Sequence, residues 1–209
     1  MGKRCIVVFI TTALLVIPVG ANLIINGDFE QGNTGFSTAY TYNASSTYPF
    51  RYCIKTNPHA WDGGYASFGD HTTGSGNMML IDASGNAAGG AGQICWSQTV
   101  AVLANMDYTF SAWIAQIYLN GLASNIEFSI NGVSVGTFLV PTTTPEWQQF
   151  TTTWNAGSAA TAVIAIRETT GNNTSPGNDF ALDDISLIPE PATMLLLGLG
   201  AIALLRKRK

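Results

Sequence analysis

"NIEFSINGVSVGTFLV", residues 125–140, decides the fold. Two runs of alternating apolar and polar residues flank Asn131-Gly132. An Asn-Gly pair accepts the positive φ angles that a two-residue hairpin turn demands, so the stretch predicts two tightly joined antiparallel strands. Outward from it the same grammar recurs. "NLIING" (22–27), "NMMLID" (77–82), "QICWSQTVAV" (93–102), "DYTFSAWIAQIYL" (107–119), "EWQQFTTTWNA" (146–156), "ATAVIAIRET" (160–169) and "DFALDDISLI" (179–188) are strand-like runs separated by turn residues. In 107–119, Tyr108, Phe110, Ala112 and Ile114 fall on one side, as a half-buried strand requires. Roughly eight to ten short strands with almost no helical period predict an all-β chain, an antiparallel β-sandwich. No heptad or solenoid repeat interrupts residues 22–188, which read as one domain.

Residues 31–76 depart from this pattern. They are rich in Gly, Ser, Thr and aromatics, and a stretch this long reads as functional loops with short strands. Within it, "RYCIKTNPHAWDGGYASFGD" (51–70) gathers Tyr52, Trp61 and Tyr65 with Arg51, Asn57, His59 and Asp62 nearby. Aromatic faces with amide, carboxylate and guanidinium partners suit stacking on a sugar ring and bonding to its hydroxyls. Trp61, Tyr65, Tyr52 and Arg51 are therefore the candidate ligand-binding residues. The alternative for these aromatics is core packing, as expected for Trp96, Trp113 and Trp154.

The two ends have a different chemistry. Lys3 and Arg4 precede an apolar run from Cys5 to Val19, and Val19-Gly20-Ala21 places small residues for cleavage after Ala21. Residues 1–21 read as a secretory signal peptide. At the other end, Ala192 to Leu205 is uncharged, with Thr193 its one polar residue, and Arg206-Lys207-Arg208-Lys209 follows. This apolar helix is short against the roughly 17–25 residues of a spanning helix, and its basic end would stay cytoplasmic.

Pro189-Glu190-Pro191, the apolar segment and the basic end together resemble a PEP-CTERM sorting signal, over residues 189–209. The resemblance implies recognition by an exosortase-type membrane protease, a transient membrane tether, cleavage near Pro-Glu-Pro, and delivery to the cell surface or extracellular matrix. The prolines keep the chain extended at the membrane face.

Composition narrows the function of what lies between. Of nine Lys and Arg, only Arg51, Lys55 and Arg167 fall in 22–188, against twelve acids, a net charge of −9. That argues against a nucleic-acid partner, which needs clustered basic residues. Cys53 and Cys95 are the cysteines left once Cys5 is removed, and two cysteines in an exported domain predict one disulfide, with two separate buried thiols as the alternative. Neither His59 nor His71 sits in a hydrolase motif. Glu127 and Glu168 are the strand acids from which a glycosidase pair would have to come, and they read more simply as solvent-side residues.

"NLIINGDFEQG" (22–32), "WSQTVAVLANMDYTFSAWI" (96–114) and "FALDDISL" (180–187), in this order, resemble the galactose-binding-like jelly roll of carbohydrate-binding modules. That resemblance implies a jelly roll whose first and last strands are neighbours. It also implies a structural Ca²⁺ at their seam, held by Glu30 and Asp183, with Asp28 as a further candidate. The whole reads as an exported, non-enzymatic protein that binds extracellular polysaccharide. The alternatives are a structural matrix protein without a specific glycan and a glycoside hydrolase.

Overall fold

The computed structural model describes residues 20–83, 92–170 and 177–190. All but the last two residues of the expected signal peptide lie outside these, as does the C-terminal apolar segment with its basic tail. No helix among the described residues is long and apolar enough to cross a membrane.

Among the described residues ten strands form two packed sheets, the sandwich that the alternation predicts. The strands are β1 (Thr41–Tyr42), β2 (Arg51–Lys55), β3 (Met78–Asp82), β4 (Ile94–Ala101) and β5 (Asp107–Gln116), then β6 (Asn125–Ile130), β7 (Val133–Leu139), β8 (Gln148–Asn155), β9 (Thr161–Glu168) and β10 (Phe180–Pro189). One sheet has the order β1-β2-β3-β10-β5-β8 and the other β4-β9-β6-β7. All pairs are antiparallel except the two-residue β1–β2 pairing. At the β6–β7 turn Asn131 and Gly132 have φ of 52° and 76°, the two positive angles expected there.

The core lies between the sheets. Tyr108, Phe110, Ala112 and Ile114 of β5 meet Ile126, Phe128 and Ile130 of β6 and Ile164 and Ile166 of β9, with Trp96 of β4 fully buried among them. Burying each such aliphatic or aromatic side chain contributes about 1.5–3 kcal/mol.

The six-stranded sheet is covered on its outer face as well. Met79 and Ile81 of β3 point into the sandwich, while Met78 and Leu80 point out into a second cluster with Cys53, Trp61, Tyr65, Ile117 and Ala181. Residues 56–77 supply this third layer. A single 3-10 turn, Pro58–Ala60, starts it; Asn57 caps the turn by accepting from His59 N, and proline supplies the first position.

The opening segment differs from expectation. Residues 22–27 run beside β10 but form no regular strand. Leu23 N donates to Leu187 O and Ile185 N to Gly27 O. Between these bonds the Asn22 side chain replaces the ladder: Nδ2 donates to Ile185 O, and Oδ1 accepts from Leu187 N. Gly27 is required at the close approach, because a Cβ there would lie 2.1 Å from Ile185 O.

Candidate functional site

The outer layer overturns the expected aromatic platform. Trp61, Tyr65 and Tyr52 are 6 %, 7 % and 6 % exposed, too little for a sugar to stack on their faces. Trp61 fills the second cluster and donates Nε1–H to Asn43 O at 2.9 Å. Tyr52 belongs to the main core, with its hydroxyl on Asn33 Oδ1 at 3.0 Å. The cause is the outward apolar face of β2, β3 and β10, which has to be covered, and the neighbouring aromatics cover it. Arg51 is half-buried beside the exposed Tyr48, its guanidinium 5.2 Å from that ring centroid and donating to Ser46 Oγ.

The disulfide is not formed: Cys53 and Cys95 are free thiols. Cys53 points into the outer cluster from β2, and Cys95 into the inter-sheet core from β4 of the other sheet. Burial pushes both thiols up to about 12. The other alternative for the cysteines, two separate buried thiols, is the one observed.

The strand acids form no opposed pair. Glu127 pairs with Arg167 and Glu168 with Ile126 in the β6–β9 ladder, so the two carboxylates point to opposite faces. Glu168 is fully buried rather than at the solvent side, and burial raises its pKa.

The expected calcium ligands divide between two places. Glu30 Oε1 accepts from Asn77 N at 2.7 Å, and Asp183 Oδ2 accepts from His71 N at 2.8 Å and Thr72 N at 3.2 Å. Both therefore reach the loop 70–77, where Gly76 packs so closely that a Cβ would lie 2.1 Å from Glu30 Oε1. Asp28 instead lines a polar groove with Asp184, Ser111, Ser186 and Trp113. Asp183 is fully buried, and burial together with Asp184 raises its pKa to about 7, although N–H donors pull it down. Among the described residues no group of three or more His, Cys, Asp or Glu side chains is arranged to hold a metal ion. A calcium ion here would need loop carbonyl oxygens to complete its six to eight ligands.

The two half-buried tryptophans Trp113 and Trp147 mark the other side of the same loop. His71 stacks on Trp113 at 3.7 Å, and its Nδ1 lies 2.6 Å from Asp184 Oδ2, which accepts from the ring N–H. Trp147 Nε1 donates to Gly69 O. One face of Trp113 is thus already occupied by the protein's own ring.

A concave site opens instead at the end of the six-stranded sheet where β3 and β5 end and β2 and β10 begin. It is a cavity of about 330 Å³ lined by Thr47, Tyr48, Pro49, Asp62, Tyr65, Asp82, Ala83, Tyr118, Gly177, Asn178 and Asp179. The antiparallel register brings these segments together: Arg51 pairs with Asp82, and Phe180 pairs with both Ile81 and Gln116. Buried Gln116 fixes two of its walls, donating from Nε2 to the carbonyls of Tyr118 and Gly177.

Inside the cavity Asp82 and Asp179 are neighbours, and the charge of Asp82 disfavours ionisation of Asp179. Burial pushes Asp82 up to about 6 and Asp179 well above the usual carboxylate range, each reinforced by neighbouring acids. Asp179 Oδ1 accepts from Ala83 N at 2.9 Å and Oδ2 from the Tyr65 hydroxyl at 3.4 Å. Asp62 at the rim is different. Thr47 Oγ1 at 2.6 Å and Gly64 N at 2.8 Å both donate to it and hold its pKa below the ordinary value. Asn178 is 2 % exposed, and its Nδ2 has no hydrogen-bond partner. Its amide is close enough to Glu168 to lower that pKa, yet it meets neither Glu168 oxygen in hydrogen-bond geometry. Of residues 51–70 only Asp62 and Tyr65 line this cavity, and the sequence reading singled out neither Asp82 nor Asp179. The signal for them was an aspartate closing the apolar run of β3 and another opening that of β10.

Residues 187–209 match the PEP-CTERM protein-sorting motif. The motif indicates export and sorting to the cell surface. No curated protein matches the chain in sequence. Among solved structures it is similar to a cyclase from Fischerella sp. TAU in complex with 4-(1H-indol-3-yl)butan-2-one. That likeness has 16 % identity and a TM-score of 0.55, and covers 84 % of this chain and 98 % of that one. It is similar also to the CBM22-1–CBM22-2 tandem domain of Paenibacillus barcinonensis Xyn10C, at 12 % identity and TM-score 0.52, covering 84 % of this chain and 48 % of that one. A third is TmCBM61 in complex with β-1,4-galactotriose, at 16 % identity and TM-score 0.47, covering 81 % and 99 %. At these identities the likeness is one of fold: the chain has the jelly-roll sandwich of carbohydrate-binding modules.

The PEP-CTERM motif begins inside the β-sandwich. Pro189 is the last residue of β10 and pairs with Tyr108. Glu190 N donates to Asp107 O at 2.9 Å, and Glu190 Oε1 accepts from Thr109 Oγ1 at 2.9 Å.

Proposed function

We propose that this is an exported surface or matrix protein that binds extracellular polysaccharide without turning it over, after sorting by an exosortase-type membrane protease. The observation that carries the reading is the cavity where β3 ends and β10 begins. It is of a size to admit a sugar ring, has Tyr48 and Tyr118 on its walls, and offers carboxyl and amide groups for hydroxyls. A glycan array on the purified protein tests this. Wild type should retain a polysaccharide that the Tyr118→Ala variant releases. Retention unchanged by that substitution refutes the site, and no retained glycan refutes the function in favour of a structural matrix role.

Calcium is a separate proposal, with Glu30 and Asp183 as its ligands and loop 70–77 as the segment it would fix. Ca²⁺ at 100 times its dissociation constant should stabilise by about 2.7 kcal/mol. The melting temperature should rise with Ca²⁺, fall with EGTA, and lose both responses in Asp183→Ala. A melting temperature indifferent to EGTA refutes it.

A further inference from the structure

The six-stranded sheet carries a second concavity, a polar groove of about 380 Å³ over the later part of β10. On its floor Ser111 of β5 faces Ser186 of β10 in the ladder, with their Oγ atoms 2.8 Å apart. Trp113 and Asp184 lie next along the two strands, and the opening segment supplies Asp28 and Gln31. The backbone is irregular at this place. The β10–β5 register shifts between Asp183 and Ser186, and Asp184 takes a φ of 45°, a strained value for a residue other than glycine. A bulge of this kind re-aims a side chain. Here it gives Asp184 to His71, and His71 stacks on Trp113. Trp113 lines the groove and His71 does not, so the part of the indole that His71 leaves uncovered is the part that faces the groove. The ring is thereby held in place before any ligand arrives, which lowers the cost of binding.

The polar groups of the groove have bonding capacity left. The Gln31 carboxamide bonds to no described residue, and the Asp28 carboxylate accepts only from Glu30 N, at 3.4 Å. The two serines share one bond, which leaves one O–H donor and several lone pairs between them. No Lys, Arg or His lines the groove, so a phosphate or a uronate would meet carboxylates without a cation. A fixed indole beside free amide, carboxylate and hydroxyl groups suits a neutral sugar, with its C–H face on the ring and its hydroxyls on the rest.

We propose that this groove is a second binding site for neutral polysaccharide. The proposal rests on the polysaccharide reading given above, but the site is separate from the cavity that carries it. Asp179 in the cavity and Ser186 in the groove are seven residue steps apart. That is about 20 Å at the rise of a strand. With both sites filled, one molecule bridges two glycan segments.

Calorimetry on the purified protein, with calcium present throughout, tests this with β-1,4-linked hexasaccharides of glucose, xylose, mannose and galactose. At least one of them should bind wild type at two sites per chain. Tyr118→Ala should remove the cavity site and leave the other. In that background Gln31→Ala should weaken the remaining site by about three- to tenfold, the loss of one hydrogen bond. Trp113→Ala should abolish it. Gln31 is exposed and its side chain has no partner in the fold, so its variant keeps the test open should Trp113→Ala fail to fold. A single site per chain that Tyr118→Ala abolishes and Gln31→Ala leaves unchanged overturns the groove while the cavity stands. A single site that Gln31→Ala weakens and Tyr118→Ala leaves unchanged upholds the groove and refutes the cavity. If no hexasaccharide binds, the groove is overturned, and the glycan array alone then decides the polysaccharide reading.

Discussion

Asp82→Asn isolates the electrostatic cost of the cavity from everything else in the fold. Asp82 is 8 % exposed, lines the same cavity as Asp179, and is carried by burial from an ordinary 3.8 to about 6. A carboxyl with a raised folded pKa favours the fold while it is protonated. That stability is complete below the unfolded pKa and is lost as pH rises through about 6. The interval from 3.8 to about 6 amounts to on the order of 3 kcal/mol at 1.36 kcal/mol per unit. The carboxamide of the variant cannot ionise, so the stability of wild type relative to the variant should fall by about that much between pH 4 and pH 8. For a domain of this size the gap in melting temperature should change by about 6–12 °C. Asp62 works in the opposite sense, since its depressed pKa gives stability above the unfolded value that is lost in acid. It is present in both proteins and largely cancels. Thermal melts of the two proteins across this range, read by circular dichroism, make the measurement. A gap that stays constant, or that moves in favour of wild type as pH rises, would mean that Asp82 is solvated and that the cavity's acid pair does not exist.

The packing sets three further outcomes. Neither Cys53 nor Cys95 should react with iodoacetamide in the native protein, and both should react in denaturant without reductant; a mass two hydrogens short of the dithiol would contradict the free thiols. Gly136→Ala should cost about 1–3 kcal/mol, because φ is +153° there and a Cβ would lie 2.7 Å from the Phe150 ring, which is itself stacked on Phe128 at 4.1 Å; an unchanged denaturant midpoint would show that the ring can move aside. Asn22→Ala should loosen the opening segment from β10 at a cost of about 1–3 kcal/mol, since Ile185 O and Leu187 N both lose their partner; hydrogen exchange at Leu187 that is no faster than in wild type would refute it.

The sandwich class and the β6–β7 hairpin were legible because β5 and β6 each declare a face by alternation, and Asn131-Gly132 declares the turn. The 22–27 segment misled because its apolar run, Leu23-Ile24-Ile25, has a strand's composition. What displaces regular pairing is a side chain, the Asn22 carboxamide, together with positive φ at Asn26 and Phe29. The site was less legible for a related reason. Whether Trp61 and Tyr65 face solvent depends on whether the sheet's outer face is apolar. Met78-Met79-Leu80-Ile81 answers that: a strand apolar at four successive positions has no solvent face, so something must cover both of its sides. Asp82 and Asp179 are far apart in the chain and meet only because β10 pairs with β3, a register that no local pattern encodes.

The docking of the PEP-CTERM motif on β5 sets a limit on where a processing protease can act. A protease needs an extended substrate with its backbone free, but β10 is already extended and its backbone is hydrogen-bonded through Pro189. Glu190 continues that pairing through its N–H and adds a side-chain bond to Thr109. Cleavage before Glu190 would require peeling the end of β10 from β5, where Leu187, Ile188 and Pro189 pair with Phe110, Thr109 and Tyr108, and would draw the buried Leu187 out of the core. Cleavage after Glu190 leaves the sandwich intact. The C-terminus of the surface-delivered protein should therefore fall at Glu190 or beyond, and intact-mass measurement reads it directly. Thr109→Val should raise hydrogen exchange at Glu190 without moving that terminus. A mature protein ending before Glu190 would show that processing precedes folding of the last strand, and the sandwich would then have to close without the bonds of Glu190 to Asp107 and Thr109.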